Sequence, residues 1–290
     1  MFSQLDHLVI KVSDLAEAED DYTALLGRQP SWRGNHPGLG TSNLLYRLSN
    51  TYVELLHLPE GVSVPFAPNS EDVEGLVAFA LGTDDLEAER QRLVDQGLIV
   101  SPVIDGFGRE QRGEVERLWR AAFIDPSSTR SVAVFAIQHL SPPDALPLAS
   151  ALPGSDSPVE AVDHIVILSG DADSSIALYR DKFAMDLRLD KTFPDWGMRL
   201  AFFRLGGVTV EVAQKLGDEP SDKDAIWGAS YRVEDVATAR SRLLENGFDV
   251  SEVRPGRRPG TEVITVRSKT HGVATLMLSR SPSFRAGGSP

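Results

Sequence analysis

No cysteine occurs in the 290 residues, which excludes disulfides, thiolate metal sites and cysteine nucleophiles and makes the cytoplasm the expected compartment. Basic charge is also scarce. Against 42 Asp and Glu stand only 29 Lys and Arg, a net charge of -13 that repels phosphate backbones and anionic membrane surfaces. Nucleic acid and membrane are therefore not expected partners. No run of about 18 apolar residues is present, and the opening MFSQLDH lacks a basic flank before an apolar stretch. No glycine-rich loop follows a strand and opens a helix, so no nucleotide cofactor is expected, and GxSxG is missing as well.

What is present is an internal duplication. LDHLVIKVSDLAEAEDDYTALL at Leu5 to Leu26 aligns without a gap on VDHIVILSGDADSSIALYRDKF at Val162 to Phe183. The offset of 157 pairs His7 with His164 and carries Glu54 of TYVEL onto Glu211 of VTVEV. A second echo sits at an offset of 150, where AFALGTDDLEAERQRLVDQGLIV matches GASYRVEDVATARSRLLENGFDV.

Leu8, Ile10 and Val12 alternate with His7, Val9 and Lys11, which predicts a strand with one face under a helix and His7 on the other face. Asp14 with Glu17 opens that helix, Asp84 with Glu87 opens the next, and Gly27 and Gly97 close them. Arg33 to Thr41 reads as a turn-rich loop, Thr51 to Leu58 as a strand after a hairpin, and Leu98 to Val103 as another strand. The chain is thus four copies of a strand, helix, three-strand unit, an α+β organisation. Five prolines and four serines between His139 and Glu160 predict a linker. The expected layout is a first domain over 1–140, a linker over 141–160, a second domain over 161–279 and a disordered tail over 280–290.

A DH pair in the first strand of a repeated βαβββ unit, with a Glu in its fourth strand, resembles the vicinal oxygen chelate superfamily of glyoxalases, epimerases, extradiol dioxygenases and antibiotic-binding resistance proteins. HPGLGTSN at His36 to Asn43 followed by YVELL, and FAIQHLSP at Phe135 to Pro142, are similar to its glyoxalase-like branch. SKTHGV at Ser268 to Val273 is similar to a turn in the epimerases. The resemblance implies two open cup-shaped mixed β-sheet barrels with helices outside. It also implies one divalent ion (Zn, Mn, Fe or Ni) on each concave face, held by His7 and Glu54 in one half and by His164 and Glu211 in the other. The remaining ligand places fall on Ala78, Gly228, Phe135 and Leu276, so each half offers two ligands where three or four are usual. Pairing of units 1 with 2 and 3 with 4, or of 1 with 4 and 2 with 3, leaves this shortfall; only 1 with 3 would join all four residues.

Two readings follow. One is a small-molecule enzyme of the isomerase, epimerase or lyase kind, with Glu54 or Glu211 as ligand or general base; ring-cleaving dioxygenase chemistry is disfavoured by ligand number. The other is a metal-free binding protein that sequesters a hydrophobic ligand. Facing residues in the hairpin at Ser49 and Asn50 sum to about 99, which places Arg47 diagonal to Glu54, and Arg204 stands likewise to Glu211. Arg47 and Arg204 are accordingly candidate ion-pair partners and anion contacts. Asn43 shares the face of Leu45 and Arg47. His36, Trp119 and Tyr231 are further candidates for substrate contact, whereas His57 should face away and His139 and His271 read as strand-end and turn residues. The expected partner is a small molecule, and the assembly a monomer or homodimer.

Overall fold

A computed structural model describes residues 1–66, 74–111, 113 and 115–280; the expected tail from 281 onward lies outside them. In the first strand, β1 (Gln4–Val12), Leu8, Ile10 and Val12 point into the main core while Val9 turns to the opposite face with the cup residues. Helix α1 (Leu15–Leu26) begins where the Asp14 carboxylate accepts the Ala16 and Glu17 amides, and it ends at Gly27 with φ +64°, a left-handed conformation that glycine adopts without a Cβ clash. Asp85, not Asp84, caps α2 (Leu86–Asp95), because its side chain reaches the Ala88 amide.

The first half continues through β2 (Trp32–His36), β3 (Thr41–Arg47), β4 (Tyr52–His57), β5 (Gly75–Gly82), β6 (Ile104–Glu110), β7 (Glu116–Ile124) and β8 (Ala133–His139). Two expectations are corrected here. WRGNH is a strand rather than a loop, and β6 begins after the predicted Leu98 to Val103 segment, in which Val100 makes only an isolated bridge to Ile124. Both corrected strands matter, because β2 pairs with β6 through Gly34 opposite Glu110 and Asn35 opposite Arg109. That pairing closes the sheet into a barrel of order β1-β4-β3-β2-β6-β7-β8-β5. A Cβ on Gly34 would overlap the Trp32 indole nitrogen and the Arg109 carbonyl, so only glycine lets these strands meet.

The second half contains β9 (Ala161–Ser169), α3 (Ala172–Ile176), β10 (Asp186–Phe193), β11 (Met198–Leu205), β12 (Val208–Lys215), β13 (Asp224–Arg232), α4 (Val236–Glu245), β14 (Arg254–Pro255), β15 (Thr261–Val266) and β16 (Ala274–Arg280). Its sheet stays open, with β10 and β14 at the two edges. β14 is only two residues long and carries Pro255, whose missing N–H cannot extend a ladder. The resemblance implied two open cups; one is closed.

Units pair 1 with 2, through β1 antiparallel to β5, and 3 with 4, through β9 antiparallel to β13. His7 and Glu54 therefore lie in a different sheet from His164 and Glu211. The outer faces of both sheets and the helices share one hydrophobic core, in which Tyr22, Tyr46, Tyr179 and Tyr231 are fully buried. Unit 4 caps unit 1: the Arg242 guanidinium donates to the Ala24 and Leu25 carbonyls at the end of α1, and the Tyr22 hydroxyl donates to Thr270 O at 3.2 Å. His271, expected as a plain turn residue, stands between Glu74 at 3.0 Å and Asp21 at 3.3 Å. The Pro/Ser-rich segment is not free either, since Gln29 N–H donates to Ser150 O and Ala149 N–H to Arg47 O.

Candidate functional site

Strand alternation sends His7 from β1, Asn43 and Leu45 from β3, Glu54 from β4, Trp119 from β7 and Phe135 from β8 into the closed barrel, where they line a cavity of about 220 Å³. The hairpin register is the one counted from sequence, Leu45 opposite Glu54 and Arg47 opposite Tyr52. His7 and Glu54 are both buried, with His7 Nε2 3.5 Å from Glu54 Oε2.

Each of these two groups is held from behind. His7 Nδ1–H donates to Asp6 Oδ1 at 2.7 Å, which directs Nε2 at the cavity. Asp6 also accepts from His139 Nε2, 3.1 Å from each carboxylate oxygen, and from Gln4 Nε2 at 3.2 Å. Burial alone would raise the Asp6 pKa, but the bonds from His139 and His7 outweigh it and hold the group well below the usual carboxylate range. The His7 ring stacks on Tyr52 at 4.4 Å and meets the edge of Phe135 at 5.4 Å.

Glu54 Oε1 accepts from Asn43 Nδ2 at 2.7 Å. Asn43 Oδ1 accepts from Trp32 Nε1 at 3.2 Å, and because an indole nitrogen only donates, the amide cannot be turned round. The second hydrogen on Asn43 Nδ2 faces His36 Nε2 at 3.3 Å, and His36 Nδ1–H donates to Thr41 Oγ1 at 2.8 Å. Burial lowers the His36 pKa, against the pull of Glu54 and with help from Arg117, consistent with a neutral ring in that chain of bonds. Trp119 sits edge-on to His36 at 5.4 Å. A Cβ on the facing Gly106 would overlap its indole, so this indole also depends on a glycine. Phe66, Phe123 and Phe135 form an aromatic wall with centroids 5.1 to 5.7 Å apart.

Arg47 does not pair with Glu54. Its guanidinium leaves the barrel end and donates to the Pro143 carbonyl at 2.6 Å and to that of Leu146; parity sets the face of a strand but not where a long side chain ends. Sequence reasoning also passed over Asp6, His139 and Arg117. His139 shares parity with Phe135 and Ile137, and Arg117 with Trp119, Ala121 and Phe123, so both signals were available in the strand pattern.

The second cup repeats the pair in weaker form. His164 Nδ1–H donates to Asp163 Oδ2 at 2.9 Å, and Nε2 lies 3.7 Å from Glu211 Oε2. Here the Ser230 hydroxyl donates to Nε2 at 2.8 Å. Burial raises the Glu211 pKa, with His164 and Arg257 opposing. Arg204, expected beside Glu211, donates instead to Thr209 Oγ1 at 2.8 Å. Tyr231, expected on the cup wall, is in the core: Gly228 and Ser230 pair with Val166 and His164 and share their cup face, so alternation turns Ala229 and Tyr231 the other way. Gly228, one of the places where a ligand is missing, has no room for a side chain, since a Cβ there would overlap the Ala274 carbonyl.

These donors do not fit a resident divalent ion. Each cup brings one imidazole and one carboxylate together, and among the described residues no group of three or more His, Asp or Glu is placed to hold a metal, whereas catalytic zinc takes three protein ligands. In the first cup the next nearest nitrogen, His36 Nε2, is 4.0 Å from Glu54 Oε1 and faces the Asn43 amide, and Phe135 occupies the expected carboxylate place. His7, Glu54, His164 and Glu211 are thus two separated pairs rather than ligand sets.

Residues 5–158 match the family described as glyoxalase-like domain, and residues 163–265 match the glyoxalase/bleomycin resistance protein/dioxygenase superfamily. An ethylmalonyl-CoA/methylmalonyl-CoA epimerase from Cereibacter sphaeroides is 31% identical over 114 residues, covering 38% of this chain and 85% of that protein. In fold, a mutant of 4-hydroxymandelate synthase from Streptomyces coelicolor matches with a TM-score of 0.67 at 17% identity, over 100% of this chain and 94% of that one. A hypothetical protein from Staphylococcus aureus matches with a TM-score of 0.64 at 12% identity, over 96% and 99% of the two chains. Built as two such domains in tandem, the chain belongs to the glyoxalase/bleomycin resistance/extradiol dioxygenase, or vicinal oxygen chelate, superfamily and to its glyoxalase-like branch.

Proposed function

We propose that the chain is a small-molecule enzyme whose first barrel moves a proton at a carbon next to a carbonyl, the chemistry of isomerases and epimerases, without a resident metal ion. The observation that carries this reading is the 3.5 Å pair of His7 and Glu54 on the floor of an otherwise largely apolar cavity. Glu54 is the base: its Oε1 is occupied by Asn43, which leaves Oε2 to take the proton. As the C–H bond breaks, its electron pair moves onto the carbonyl oxygen, and His7, in the doubly protonated form this step requires, keeps Nδ1–H on Asp6 and donates Nε2–H to that oxygen. Asp6 and His139 keep the His7 ring in this orientation. The epimerase relative is named for the same class of chemistry.

The second cup serves as scaffold in this reading, because Ser230 already occupies the nitrogen that would face a substrate. The aromatic wall of the first barrel equally suits a second reading, a binding protein that holds a ligand without changing it. Incubation in D2O with a panel of 2-oxo acids, ketones and acyl thioesters, followed by proton NMR, separates the two. The enzyme reading expects enzyme-dependent loss of the α-proton signal for at least one compound. A compound that raises the melting temperature yet shows neither α-deuteration nor any product favours the binding protein.

A further inference from the structure

Arg117 is a buried cation with no part in the proposed proton transfer. It lies on β7 at 8% exposure and shares its inward face with Trp119, Ala121 and Phe123. Its guanidinium sits 5.7 Å from the Trp32 ring centroid and 5.6 Å from that of Tyr52. Rings at this range hold a guanidinium by its faces and leave the N–H edge to a ligand.

No carboxylate among the described residues comes within 4.0 Å of the Arg117 guanidinium. Its polar neighbour is the Tyr52 hydroxyl, and burial raises the Tyr52 pKa far above its ordinary value, so the phenol brings no negative charge. Arg242, also buried, donates to the Ala24 and Leu25 carbonyls, and the half-buried Arg130 pairs with Asp224. A desolvated cation without an anion is costly, and the missing anion has an obvious way in, because Arg117 lines the cavity itself.

We propose that the first barrel takes a small organic carboxylate with a flat apolar body, its carboxylate on Arg117 and its body against Phe66, Phe123 and Phe135. This rests on the reading of the barrel as a small-molecule site. One guanidinium matches one carboxylate in bidentate fashion. A phosphate dianion would want a second fixed cation, and burial disfavours the charged form of the nearby His36. The three phenyl rings form a stacked wall suited to an aromatic ring.

The test is titration of the full chain with phenylacetate and with its neutral isostere phenylacetamide, followed by calorimetry and by tryptophan fluorescence, since Trp32 and Trp119 flank the site. The acid binds about tenfold or more tightly than the amide. Arg117→Met removes that preference while leaving the amide unaffected, and Arg117→Lys keeps part of it. Equal affinity of acid and amide for the wild-type protein overturns the proposal, as does an undiminished preference in Arg117→Met or saturation by neither compound at millimolar concentration. The wild-type comparison stands even where a variant fails to fold. Acid-selective binding without α-deuteration removes the enzyme reading alone; α-deuteration of neutral carbonyl compounds without acid preference removes the Arg117 anchor alone.

Discussion

Asn43 donates to Glu54 Oε1 at 2.7 Å and can do so in one orientation only, because Trp32 Nε1–H, 3.2 Å away, demands the amide oxygen. Asn43→Asp replaces the donor by an acceptor and sets two carboxylates face to face, so it is expected to lower stability by about 1 to 3 kcal/mol. Asn43→Ala should cost less, since no second charge is introduced. Urea denaturation of the two variants gives the order; a more stable Asn43→Asp would contradict the assigned direction of the amide.

Asp6 accepts from two imidazoles in the barrel floor. Asp6→Asn removes the charge that both rings donate to, and breaking a buried pair of this kind costs about 3 kcal/mol or more. The dependence on pH has a definite sign. The folded-state pKa of Asp6 is depressed, so its stabilisation is fully present above the unfolded value near 4 and declines as pH falls below it, toward the folded value. The stability gap between wild type and Asp6→Asn is therefore widest at neutral pH and narrows in acid, as chemical denaturation at a series of pH values measures.

Gly106 lies against the Trp119 indole, where a Cβ would overlap it. Gly106→Ala pushes that ring toward the cavity. The expected cost is about 1 to 3 kcal/mol for overpacking, with a shifted tryptophan emission maximum and weaker binding of any ligand that fills the barrel. Unchanged emission and binding would place Trp119 outside the ligand site.

Glu211 is a buried carboxylate whose proton affinity is raised by burial. A raised carboxyl favours the folded state when protonated and disfavours it when ionised, so the penalty is present above the folded pKa and vanishes below the unfolded one. Glu211→Gln should therefore raise the melting temperature at neutral pH, with the gain fading toward about pH 4. A gain that does not vary with pH would exclude the carboxylate charge as its cause.

The architecture was legible because the chain writes it twice: the DH strand, its capped helix and the Glu strand recur, and strand parity placed His7, Asn43 and Glu54 on one face. Which units pair could not be read, since both halves carry the same alternation. Closure of the first sheet was hidden too, because it depends on a glycine-containing strand, Trp32–His36, whose composition reads as a turn. Arg117 on β7 meets Trp32 of β2 and Tyr52 of β4, and His139 on β8 meets Asp6 of β1, contacts between strands far apart in sequence that only the assembled sheet creates. Arg47 and Tyr231 were misplaced for local reasons, a flexible side chain at a hairpin end in one case and, in the other, a strand parity that turns Tyr231 away from the face of Ser230.

The chemistry proposed for the first barrel turns on Glu54 taking a proton. Its most direct test is the rate at which deuterium from D2O enters the α-position of an enolisable carboxylate such as phenylpyruvate, compared between wild type and Glu54→Gln, with ligand binding measured on both. Enzyme-dependent exchange is expected, falling by about a hundredfold or more in Glu54→Gln while binding is retained. Exchange undiminished in Glu54→Gln, or no exchange above buffer with a compound that demonstrably binds the wild-type barrel, would contradict it.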